Sequence, residues 1–127
     1  MMKERINTEK APGAIGPYSQ GIKVGDMIFF SGQLPINVET GQMPEGIEAQ
    51  TAESLKNIQG LLESQGLTFA DVVKTTVFLD SMDDFATMNG VYAKFFTEPY
   101  PARSAVEVAK LPKGALVEIE VIAHISK

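Results

Sequence analysis

Residues 71–79, DVVKTTVFL, constrain this chain more than any other stretch. β-Branched and aromatic residues dominate it, so it reads as a strand. Side chains alternate across a strand. One face then carries Val73, Val77 and Leu79, and the other carries Val72 and Phe78. Both faces are apolar, so both must be covered. Residues 47–65 supply one cover, because Ile47, Thr51, Leu55, Ile58 and Leu62 recur at the spacing of a single helical face. Gly66 is placed to end that helix. Residues 81–96 read as a second helix, with Phe85, Met88, Tyr92 and Phe95 on its buried side. Ser81 and Asp84 have the spacing of a capping box, and Pro99 and Pro101 stop the helix.

The remaining strands flank these elements. Residues 19–24 and 27–31 read as a hairpin across the Gly25-Asp26 turn. Residues 101–121, PARSAVEVAKLPKGALVEIEV, read as another, with turn residues at Pro112–Gly114. Residues 35–46 are loop, rich in Pro, Asn, Thr and Gly. The order is β-β-α-β-α-β-β, with room for one short extra strand over residues 5–8. The strand–helix–strand unit implies a parallel pair and the hairpins antiparallel ones. The fold expected is therefore α+β, a mixed sheet with two helices packed on one face. No element remains for the second apolar face. Symmetric self-association, sheet against sheet, covers it more economically than closing about six strands into a monomeric barrel.

Length and composition narrow the function. The 127 residues make one domain, 1–127, with enough chain for a core. There is no cysteine, hence no disulfide and no thiolate nucleophile. A net charge of −5, with no Lys/Arg-rich run, argues against a nucleic-acid partner. No apolar run is long enough to span a membrane. The start, MMKERINTEK, lacks an apolar signal region, so a cytoplasmic protein is expected.

Charges inside the last two strands raise the functional question. Taken alone, Arg103 reads as an edge arginine in a surface ion pair. Its neighbours Pro101, Ala102, Ser104 and Ala105 are small, and a guanidinium with room beside it suits a carboxylate ligand. Glu118 and Glu120 share one face of their strand, about 6.6 Å apart along it. They read either as a solvated face or as a proton-handling group whose pKa burial would raise. His124, the lone histidine, reads as a surface residue, and no metal site is expected. Residues 13–16, GAIG, lack the following Gly-Lys of a phosphate loop, and Ser19, Ser31 and Ser104 lack a His partner. Tyr18 reads equally as a loop anchor or a site residue. Gly32 reads as a turn glycine or as a place where a ligand meets the backbone.

Several separated runs together resemble the RidA (YjgF-like) family. They are AIGPYSQG at 14–21, SGQLP at 31–35, VVKTTVFL at 72–79, PARS at 101–104 with Val106, Ala109 and Leu111, and VEI at 117–119. The resemblance covers essentially the whole chain. It implies a chorismate-mutase-like fold and a homotrimer with three clefts between subunits. It also implies hydrolysis of reactive enamines and imines, such as 2-aminoacrylate and 2-iminobutanoate, released by pyridoxal-phosphate-dependent dehydratases. The products would be a 2-keto acid and ammonia. Arg103 matches the family's carboxylate clamp, and Glu118, rather than Glu120, matches the residue that orients and deprotonates water. Tyr18, Ser31 and Gly32 match groups lining the cleft. Asn89 matches a shared position without an evident chemical role. On this reading the charges of the last two strands face one cleft, and no metal or organic cofactor is needed. Many members carry a cysteine two residues after the arginine; here that position is Ala105, which excludes thiol chemistry. The competing readings are a trimer that senses a 2-keto acid without catalysis and, less favoured, an endoribonuclease or translation inhibitor. Chorismate mutase activity would rest on analogy of fold alone.

Overall fold

The computed structural model describes residues 2–126. Its element order is β1 (Glu4–Ile6), β2 (Gly21–Val24), β3 (Met27–Phe30), α1 (Ile47–Ser64), β4 (Val72–Leu79), α2 (Phe85–Tyr92), β5 (Ala102–Glu107) and β6 (Val117–His124). All six strands form one sheet in the order β1-β2-β3-β6-β4-β5. The expected mixed α+β fold is present, with the extra N-terminal strand, the β2–β3 hairpin and a parallel β4–β5 pair.

The C-terminal hairpin is not. β5 and β6 do not pair. β6 slots antiparallel between β3 and β4, and β5 lies beyond β4 at the sheet edge. Residues 108–116 therefore pass over the end of β4 rather than turning back on β5, held there by Val108 N–H donating to Leu79 O and Asp80 N–H donating to Leu116 O.

β4 also departs from simple alternation. A register shift between Val72 and Lys74 puts Val72, Thr75, Val77 and Leu79 on the buried face and leaves Val73 44% exposed. The extra residue of a bulge inverts parity for everything before it, which is why Val73 does not share a face with Val77. The buried side of the sheet, including Val117, Ile119, Val121 and Ala123, packs on Leu55, Ile58 and Leu62 of α1 and on Met88, Tyr92 and Phe96.

α1 matches its periodicity and ends in a Schellman motif: Leu67 N–H donates to Leu62 O and Gly66 N–H to Glu63 O, with Gly66 at φ 71°. Buried polar side chains interleave with its apolar ones. Ser54 Oγ donates to Gln33 O at 2.8 Å, and Asn57 Nδ2 donates to Leu34 O and Ile36 O at 3.1 and 2.8 Å. These bonds tie residues 33–36, the start of the loop after β3, to α1. α2 is shorter than expected. A 3₁₀ turn, Met82–Asp84, precedes it, and Ser81 Oγ accepts from Asp83 N–H without a reciprocal bond from Asp84. The capping box expected there is half made.

The sheet's second face carries Ile22, Phe29, Phe78, Val106 and Ile122, and no helix of the described residues covers it; Phe29 and Val106 are 48% and 44% exposed.

Candidate functional site

The structure sorts the six candidate residues into two groups on opposite sides of the sheet. Register decides this. Arg103 lies beside Thr75 and Glu118 beside Phe78. Thr75 and Phe78 are three residues apart on a regular stretch of β4, so they point to opposite faces. Within one chain, then, Arg103 and Glu118 do not face one cleft.

The first group is Glu118, Gly32, Ser31 and Tyr18, which line a cavity of about 780 Å³ with Pro12, Lys113 and apolar residues of the 34–38 loop. An isolated bridge fixes its floor: Gln33 N–H donates to Ile119 O at 2.8 Å, and Ile119 N–H returns to Gln33 O. That pairing lays Gly32 directly against the neighbouring Glu118. A Cβ on Gly32 would collide with the Glu118 carboxylate and lie 3.1 Å from its Cδ. The space above Gly32 is thus filled by the chain's own carboxylate, and Gly32 is required for that approach rather than for a positive φ. Ser31 Oγ donates to Ser19 O at 2.5 Å, tying the cavity's two wall segments together. Buried Gln20 holds a further wall, its amide donating to Thr8 O and Pro12 O and accepting from Thr8 N–H. Tyr18 stands at the rim, 53% exposed. Burial raises the pKa of Glu118, and the like charge of Glu120 on the same face raises it further.

The second group is Arg103 and Asn89, joined by Arg103 Nη1 donating to Asn89 Oδ1 at 2.7 Å. The guanidinium carbon sits 4.9 Å from the Tyr92 ring centroid and 5.4 Å from that of Phe85. Phe85, Asn89 and Tyr92 recur at i, i+4 and i+7, one stripe of α2. Asn89, for which the sequence suggested no chemistry, is thus the polar partner of the arginine. Tyr92 and Phe85 were legible only as core. Their helical spacing was visible, but nothing local showed that a charged strand residue lies over them.

Glu120 shares its face with Thr76, and His124 is exposed at the end of β6. Among the described residues no cluster of three His, Cys, Asp or Glu could hold a metal, and no helix is long and apolar enough to cross a membrane.

A mixed sheet of this order, backed by two helices, with a glutamate and an arginine displayed on opposite faces, defines an α+β protein of the chorismate-mutase-like class. Comparison with known proteins narrows the class. Residues 8–125 match the family model described as Endoribonuclease L-PSP. The chain is 52% identical over 125 residues to the 2-iminobutanoate/2-iminopropanoate deaminase of Escherichia coli K12, covering 96% of this chain and 98% of that one. It superposes on E. coli TdcF with bound serine at a TM-score of 0.92, 47% identity and coverage of 97% and 99%. RidA from an Antarctic Psychrobacter superposes at 0.93, with 48% identity and coverage of 96% and 99%. The chain belongs to the RidA (YjgF-like) family.

Proposed function

We propose that this protein is a hydrolytic deaminase of small 2-imino acids and their enamine tautomers, converting 2-iminopropanoate and 2-iminobutanoate to the 2-keto acid and ammonia, and that it works as a homotrimer with its clefts between subunits. The observation that carries the reading is a pair of ions with no counter-ion among the described residues, a guanidinium on one face and a partly desolvated carboxylate on the other. Packing the uncovered sheet face of one subunit against a neighbour is what would let Glu118 of one chain and Arg103 of another meet over one substrate. The activity named for the E. coli relative fits such a pair.

The chemistry follows from the two groups. Arg103 grips the substrate carboxylate through its unused N–H donors and fixes the imine carbon over the other half-site. An enamine first takes a proton from solvent at its methylene carbon to become the iminium ion, and an imine reaches the same ion by protonation at nitrogen. Glu118, kept basic by burial, removes a proton from water as the oxygen bonds to the iminium carbon. The C=N electron pair moves to nitrogen, giving a neutral carbinolamine. The protonated Glu118 then gives its proton to the nitrogen, the C–N bond breaks, and ammonia leaves as the hydroxyl oxygen forms the C=O bond and its proton passes through Glu118 back to solvent. Imine and water balance keto acid and ammonia. A positioned carboxylate base contributes on the order of 10²–10⁴-fold. The cavity's Tyr18 and Ser31 border the space where the nitrogen would lie.

The test is a coupled assay in which a serine/threonine dehydratase generates the imine in the presence of semicarbazide. Added protein should divert imine to pyruvate or 2-oxobutanoate, and Arg103→Ala and Glu118→Gln should each abolish the diversion. A wild-type protein that diverts neither substrate would refute the deaminase and favour a binding role for the same cleft.

A further inference from the structure

The Arg103 cradle is built entirely from uncharged groups. Phe85 and Tyr92 present ring faces at 5.4 and 4.9 Å, Asn89 accepts one N–H at 2.7 Å, and no carboxylate of the described residues bonds the guanidinium. Tyr92 is itself locked. Its hydroxyl shares a buried 2.8 Å hydrogen bond with Thr75, and its ring stacks on Phe96 at 4.4 Å. Thr75 is the residue beside Arg103 in the sheet, so the same rung of β4 that sets the arginine's backbone also sets the ring beneath its side chain.

The usual way to hold an arginine is a bidentate carboxylate, which also neutralises it. A ring quadrupole and an amide oxygen attract the cation without cancelling its charge. We infer that Phe85, Asn89 and Tyr92 form a charge-preserving cradle, in which Asn89 and Tyr92 are positioning residues that aim Arg103 and keep its full positive charge for a small carboxylate ligand. The inference rests on the carboxylate-clamp role proposed for Arg103, and it makes the neutrality of position 89 a requirement rather than an accident of sequence.

Asn89→Asp is the deciding variant, because Asp keeps the accepting oxygen and the side-chain size and adds only a charge. A merely structural bond would be strengthened by it. The charge-preserving cradle predicts the reverse: affinity for 2-oxobutanoate, read by calorimetry, falls on the order of 10-fold or more. In turnover KM rises by a similar factor while kcat changes less than about 3-fold. Tyr92→Leu, which removes the ring, should raise KM similarly, and Tyr92→Phe, which keeps it, should restore KM to within about 3-fold of wild type. Circular dichroism and oligomeric mass of each variant separate lost aim from lost fold. Asn89→Asp binding 2-oxobutanoate within 2-fold of wild type, or a wild-type protein that binds none, would overturn the inference. Binding with the predicted ratios but no turnover would instead refute the deaminase and leave the cradle standing.

Discussion

The two half-sites solve opposite problems by different means. At Glu118 the chain makes room by omission. Gly32 lacks the Cβ that would occupy the carboxylate's position, and burial together with the like charge of Glu120 raises the group's pKa. At Arg103 the chain adds groups, two rings and an amide, none of which carries charge. One arrangement makes an anion more basic, and the other keeps a cation fully charged. Both leave the ion unneutralised among the described residues, and both lie on strands flanking β4, one on each face. An ion pair formed inside the fold would have been the easier way to satisfy either group. Its absence among the described residues is what the proposed substrate roles of both groups require.

The sharpest way to break this comparison is to put its two halves on different chains. Co-expressed Arg103→Ala and Glu118→Gln subunits, each inactive alone, should recover about a quarter of wild-type turnover, because a site in a cyclic trimer is intact only when its two contributors are drawn in the right order. No recovery from trimers shown by native mass spectrometry to be mixed would refute a site shared between Arg103 of one chain and Glu118 of another. Gly32→Ala tests construction by omission. The displaced Glu118 carboxylate should lower kcat by on the order of 10²-fold with a smaller change in KM, since misplacement of a reacting group by about 1 Å has that cost.

Glu120→Gln tests the like charge. Removing it lowers the Glu118 pKa toward its ordinary value, so the acid limb of the pH profile of kcat/KM should move to lower pH. A limb that does not move would assign Glu120 no electrostatic role. The smallest effect concerns stability. A carboxylate whose pKa is raised on folding contributes stability that is present below its unfolded value and lost as pH rises through the folded one. Glu118→Gln should therefore match wild type in acid and exceed it increasingly as pH rises above about 4.5, the ordinary value. The gain is on the order of 0.5 kcal/mol, because the half-exposed group is screened by solvent, and thermal unfolding at pH 4 and pH 7.5 would measure it.

Much of this was legible in the residues. The 47–65 helix, the β2–β3 turn, the parallel β4–β5 pair and the shortage of cover for the sheet's second face followed from local chemistry: periodicity of 3.6 or 2, glycine at a positive-φ turn, and counting faces against helices. Separated motifs carried the family and the two ionic residues. What local chemistry could not show was pairing. β5 and β6 look like a hairpin because Pro112–Gly114 is turn chemistry, but β4 lies between them. Strand neighbours are chosen by the whole sheet's burial, and a turn signal fixes only a change of direction. The bulge at Val73 was likewise invisible, since one unpaired residue costs the sequence pattern nothing and inverts a face.

The site divides along the same line. Side-chain chemistry pointed to Arg103 and to one of Glu118 and Glu120, and left Gly32 open between a turn and a site; the family motifs, not the chemistry of single residues, chose Glu118. Which side of the sheet each one faces, and that Asn89 and Tyr92 lie under the arginine, depended on the register of β4 with its two neighbours. Register is settled by tertiary packing across residues distant in the chain, where a shift of one position sends every side chain to the other face.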